Sequence, residues 1–132
     1  MATSEQNKVA VRRLVEEVMN DGRMEVVDEV YDPDRALGAK RWIRPFRAAF
    51  PDVHMEIVDL VAEGETVVGR FLCSGTHQGT WRGHEPTGRR FERVDEVYFF
   101  TFRDGKIISG WGIEDTASRL RQLGLQSRAD RI

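Results

Sequence analysis

The stretch from Arg89 to Glu114 constrains this chain more than any other, because it reads as two long strands that are apolar on both faces. The first runs from Arg89 to Phe102 and the second from Ile107 to Glu114, turning at Arg103-Asp104-Gly105-Lys106. Alternation places Tyr98, Phe100 and Ile108 on one face, and Val97, Phe99, Ile107 and Trp111 on the other. An antiparallel sheet normally leaves one face wet, so both faces of this one need a cover. Helices can supply one cover. A second copy of the chain is the simplest cover for the other, which predicts a homodimer through the sheet.

The rest of the chain supplies those helices and two further strands. Thr3 to Gln6 is a candidate capping box, and Val11, Leu14, Val15 and Val18 follow at helical spacing until Asn20-Asp21-Gly22. A short second helix is expected from Met24 to Tyr31, stopped by Pro33. A third carries Trp42, Ile43, Phe46 and Phe50, and Pro45 makes it start late or kink. Strands are predicted over Asp52 to Val61 and Thr66 to Thr76, followed by a loop holding Gly79, Gly83 and Gly88. A last helix is expected after Asp115 as N-cap, ending near Gly124. Helices first, then an antiparallel meander, means an α+β fold, read as one domain over residues 1–132.

Composition excludes several classes. The 132 residues carry 20 basic and 22 acidic side chains, interspersed, for a net charge of −2, so no phosphate-tracking surface and no nucleic-acid partner are expected. There is one cysteine, Cys73, no apolar run long enough for a bilayer and no signal-like start, which together predict a cytoplasmic protein with no membrane partner. His54, His77 and His84 are dispersed without clustered carboxylates, so no metal site is expected. No nucleophile elbow, Walker loop or dinucleotide fingerprint occurs.

The ordered motifs Phe50-Pro51-Asp52, Gly75-Thr76-His77-Gln78-Gly79, Pro86-Thr87-Gly88-Arg89-Arg90-Phe91, Phe102-Arg103-Asp104-Gly105-Lys106-Ile107, Trp111-Gly112 and Leu120-Arg121-Gln122-Leu123-Gly124 resemble the SnoaL-like polyketide cyclases, a branch of the nuclear transport factor 2-like superfamily. The resemblance implies a cone of helices on a curved sheet, enclosing a pocket for a small hydrophobic carbonyl-bearing metabolite. It also implies ring closure by intramolecular aldol reaction without metal or cofactor. In such cyclases a carboxylate on the last strand acts as acid/base beside a histidine and a glutamine on the neighbouring strand. Anchored on Asp104-Gly105-Lys106, those positions are held here by Gly112, Tyr98 and Glu96. The usual acid/base is therefore absent from its place. Related cyclases also have a longer stretch around Asp34 to Gly38, so a more open or smaller pocket is expected.

Geometry suggests a replacement. A three-residue loop with Gly105 as a bulge would pair Phe102 with Lys106, Phe100 with Ile108, Tyr98 with Gly110 and Glu96 with Gly112. Gly110 and Gly112 would then leave room beside Glu96 and Tyr98. On this reading Glu96 is a relocated general base, and Tyr98 donates to a developing oxyanion. Phe100, Gly110, Gly112, Glu114, Asp115 and His77 are candidate substrate-binding residues. Other roles stand beside these: Glu96 as a solvated strand-end glutamate, Tyr98 as a core tyrosine, Asp115 as a helix cap and His77 as a structural residue. Isomerisation, a hydrolase or hydroxylation-associated role, and a catalytically silent binding or assembly module all remain open as functions.

Overall fold

A computed structural model describes residues 2–125. Its order is α1 (Ser4–Arg13), continued by a π-helical segment (Leu14–Asn20), a 3-10 turn (Met24–Val26), α2 (Val27–Val30), α3 (Pro33–Ala49), strands β1 (His54–Glu63), β2 (Thr66–Thr76), β3 (Arg90–Arg103) and β4 (Lys106–Glu114), and α4 (Thr116–Gln122). The strands form one antiparallel sheet in sequence order. None of the described helices is long and apolar enough to cross a membrane. The α+β arrangement is the one expected.

Local chemistry explains the helix boundaries. Thr3 and Gln6 close the capping box, with Gln6 N–H donating to Thr3 Oγ1 at 3.1 Å and Thr3 N–H to Gln6 Oε1 at 2.8 Å. Val11, Leu14, Val15 and Val18 form the buried stripe. The second helix ends before Pro33 as expected, with Tyr31 as its C-cap. But Pro33 also begins the next one: Asp32 caps α3 by accepting from Asp34 N–H at 3.0 Å, and Pro33 occupies the first turn, where its missing amide costs nothing. Asp34 to Gly38 is thus the beginning of a helix rather than a shortened loop. Nor does α3 start late, since it continues through Pro45 to Ala49. The rung lost at Pro45 is the one to Arg41, and both residues border the cavity described below.

The β3–β4 hairpin also departs from expectation. Asp104 and Gly105 form a two-residue turn, both with positive φ (50° and 78°), whose twist matches that of the paired strands. Phe102 pairs with Ile107, and a bulge then follows between Thr101 and Phe102 on one side and Ile107 and Ser109 on the other. Beyond it, Phe100 faces Gly110, Tyr98 faces Gly112 and Glu96 faces Glu114. The register is displaced by two residues, so each of these side chains keeps its predicted face while changing its partner. Ile107 is the exception. It is fully buried opposite Phe102 instead of joining Phe99 and Trp111 outside.

The inner face packs on the helices, with Phe50, Phe71, Phe91, Phe102 and Ile43 fully or almost fully buried. Trp42, also expected on the packed side of α3, stays 46% exposed. Asp115 caps α4 by accepting from Ser118 N–H at 3.0 Å. Replacing Asp115 with Ala is expected to cost about 1 kcal/mol in a urea unfolding titration, the usual loss for a missing N-cap. An unchanged midpoint would show that packing alone holds α4.

Candidate active site

Between the inner sheet face and the helices lies a cavity of about 670 Å³. Its walls are mostly apolar, with Leu14, Val15 and Met19 on the helical side and Met55, Phe71 and Phe100 on the sheet. Alternation along β3 turns Glu96, Tyr98 and Phe100 inward together, and Glu114 joins them from β4. Five anticipated residues, Glu96, Tyr98, Phe100, Gly110 and Glu114, therefore share one chamber.

The chamber's deep end is organised by a residue that the motif comparison passes over. Arg119, on α4, is 1% exposed and sits between Glu96 and Glu114. Its Nη2 donates to Glu96 Oε2 at 2.5 Å and its Nη1 to Glu114 Oε1 at 2.8 Å. Aromatic rings surround the guanidinium: Phe91 at 4.7 Å, Phe46 at 5.4 Å and Trp81 at 6.0 Å from ring centre to Cζ. Only helical spacing announces it. Arg119 lies four residues after the cap Asp115 and four before the buried Leu123, on the face that α4 turns to the sheet.

Glu96 is 3% exposed, which sets aside a solvated strand end. Burial raises its pKa above the ordinary carboxylate range; Arg119 pulls it down, and the neighbouring charge of Glu114 pushes it up. Desolvation is the largest of these effects, so the net shift is upward. Tyr98 donates its hydroxyl proton to Glu114 Oε2 at 2.9 Å, and burial, then the charges of Glu96 and Glu114, raise its pKa. The thiol of Cys73 beside them is likewise pushed up by burial.

Gly112, which holds the acid/base position implied by the family resemblance, does not leave an empty space. A Cβ there would overlap the Tyr98 ring, so the tyrosine itself fills the place of a side chain at 112. Gly110, by contrast, borders the cavity, with Phe100 3.5 Å from where its Cβ would be.

Two other candidates lie elsewhere. His77 is fully buried behind the chamber, its Nδ1 accepting from Thr87 N–H at 3.2 Å and its ring 5.6 Å from that of Phe50. It does not border the cavity. Asp115 is exposed and serves as the α4 cap. Sequence reasoning also missed Trp81 and Arg82, which close the Glu114 side, where Arg82 stacks 5.0 Å from the Trp81 ring and approaches Glu114 at 3.8 Å.

Because Arg119 lowers the pKa of Glu96, Arg119→Met should raise it further, as read by NMR titration of labelled carboxyl groups. A folded-state carboxyl with raised pKa loses stabilisation as pH climbs from its unfolded value through its folded one. The stability deficit of Arg119→Met should therefore be larger at pH 8 than at pH 5. An unmoved Glu96 titration would mean that the two charges are not coupled.

The family model described as SnoaL-like polyketide cyclase matches residues 9–123, reaching well into α1. Aklanonic acid methyl ester cyclase of Streptomyces peucetius is 29% identical over 108 residues, covering 82% of this chain and 72% of that protein. The corresponding cyclase of Streptomyces sp. strain C5 is 28% identical over 111 residues, covering 84% and 67%. Among solved structures, TsrD of Streptomyces laurentii superposes with a TM-score of 0.88 at 24% identity, over 96% of this chain and all of the other. IdmH of Streptomyces antibioticus gives 0.78 at 28% identity, over 91% and 99%. With a match over most of its length and the cone already built around its chamber, the chain belongs to the SnoaL-like polyketide cyclase family.

Proposed function

We propose that this protein is a cofactor-independent cyclase acting on a small aromatic polyketide or related β-dicarbonyl metabolite, with Glu96 as general base. The observation that carries the reading is a buried carboxylate of raised proton affinity at the end of an otherwise apolar cavity. A base poised nearer neutrality than a free carboxylate is what removal of a proton next to a carbonyl requires. The dry aromatic wall favours charge that moves within the site over charge that leaves it.

In the proposed reaction the Glu96 carboxylate takes the α-proton, and its electron pair forms the enolate. The enolate carbon attacks a second carbonyl of the same molecule, making the new carbon–carbon bond. The resulting alkoxide takes back the proton from Glu96, so the residue ends as it began. Arg119 holds the carboxylate in place and balances its charge. Tyr98 serves the enolate oxygen by turning its hydroxyl proton from Glu114 Oε2 to the substrate.

The reading includes a homodimer through the outer sheet face, where Phe99, Trp111 and Ile113 are 43%, 60% and 62% exposed. Phe99 and Trp111 pack edge-on at 5.8 Å, giving a preformed apolar patch. It also places the protein in a reducing cytoplasm, in keeping with its single buried thiol.

Deuterium exchange at the α-carbon of 1-(2-naphthyl)butane-1,3-dione, followed by proton NMR against the buffer rate, tests the chemistry. Glu96→Gln is expected to lose about 10²–10⁴-fold in enzyme-accelerated exchange, the usual contribution of a general base. Tyr98→Phe should lose about 10-fold or more while staying folded. Exchange at the wild-type rate in Glu96→Gln would remove Glu96 as the base. The dimer is tested by sedimentation at micromolar concentration, where the wild type should be dimeric and Trp111→Arg monomeric; a monomeric wild type defeats it.

A further inference from the structure

The end of the chamber away from Glu96 carries polar groups that the proton transfer does not use. Tyr31 is 7% exposed, borders the cavity, and is raised to about 12 by burial alone, with no hydrogen-bond partner contributing. It is one of only two tyrosines in the chain, and the other, Tyr98, is engaged by Glu114. Its backbone bridges Ile107, which pairs with Phe102, so it stands six residues along β3 from Glu96, about 20 Å of extended strand.

Arg35, in the first turn of α3, borders the same cavity. It forms no ion pair among the described residues. Asp32, three residues back, is used to cap α3 and lies 3.9 Å from Arg103. Ser109, across from this end on β4, also borders the cavity. Between the two polar ends the wall includes the apolar Leu14, Ala39, Phe100 and Ile108.

From this distribution we infer that Tyr31 and Arg35 form a subsite for a carboxylate on the substrate, at the opposite end from the carbon that loses its proton. The inference rests on the reading of Glu96 as the base and adds the class of substrate: an aromatic keto acid. A phenol and a guanidinium are both donors and together suit an oxyanion with two acceptor atoms. Charge sets the orientation as well. A carboxylate turned toward Glu96 and Glu114 would meet two like charges whose guanidinium partners, Arg119 and Arg82, are already engaged, whereas Arg35 forms no ion pair among the described residues. One molecule is thereby held with its ketone at the deep carboxylates and its acid at the helix entrance. A ligand without the acid forgoes the charge-assisted contacts to these two donors, so the subsite selects against the same skeleton lacking the acid.

Binding can be measured without turnover. Trp81 and Trp42 border the cavity, so their fluorescence reports occupancy, with calorimetry as a second readout. The probes are 6-acetyl-2-naphthoate and 2-acetylnaphthalene, which differ only in the carboxylate. The wild type should bind the acid at least about 10-fold more tightly, the scale of one charge-assisted contact. Tyr31→Phe and Arg35→Met should each remove most of that preference, with the loss confined to the acid. Raising salt should narrow the preference in the wild type. No binding of the acid, equal binding of the two probes, or a preference that survives both substitutions overturns the subsite. The reading of Glu96 stands or falls separately. Selective binding of the acid with no effect of Glu96→Gln on diketone exchange would keep the subsite and remove the base. The reverse pattern would keep the base and remove the subsite.

Discussion

The buried guanidinium of Arg119 is the interaction on which the rest of the chamber depends. It ties α4 to β3 through Glu96 and to β4 through Glu114, and it is boxed by rings from α3, from the loop after β2 and from β3. Each of these groups would be costly to bury alone. Together they are satisfied, apart from Arg119 Nε, which has no partner. Breaking such a pair by removing one member leaves a charge stranded among aromatic rings. That is the physical reason the deep end is a rigid site and not merely a polar flaw in a core.

Two carboxylates against one buried guanidinium leave the buried cluster one negative charge in excess when both are ionised, with only the exposed Arg82 approaching Glu114 from outside at 3.8 Å. The low-dielectric surroundings resist that excess, so a proton is held more tightly there than in water. This surplus is what makes the cluster suited to acid/base work. A one-to-one pair of the same burial would be chemically quieter. The Tyr98 ring, seated over Gly112, extends the network by one hydroxyl and closes the space where a strand-borne aspartate would stand. The family position is thus not simply empty. Its volume has been taken by the neighbouring strand, and the carboxylates that remain lie one strand pair further along.

Much of the architecture was legible in the residues. The capping box at Thr3 and the N-cap at Asp115 follow from short-range rules, because each depends on hydrogen bonds between neighbours in the chain, and the bounds of β2 follow from the turn residues that flank it. Pro33 was read only as the end of one helix, whereas Asp32 before it also makes it the beginning of the next. The burial of Glu96 was legible from its alternation with Tyr98 and Phe100. Arg119 was not, because a buried arginine has the same local signature as a surface one, and only its distant partners distinguish them.

The hairpin shows where that boundary lies. Side chains alternate with a period of two, so the sequence by itself determined which face each residue of β3 and β4 takes beyond the bulge, and with it the membership of the chamber. Turn length and bulge position alter the pairing by whole residues, and here they combine to shift it by two while preserving those faces. Which residue stands opposite Glu96 was therefore decided only by the tertiary structure. The same holds for the guanidinium that compensates it, because a cation supplied by the last helix becomes a neighbour only after the sheet has curved around the core.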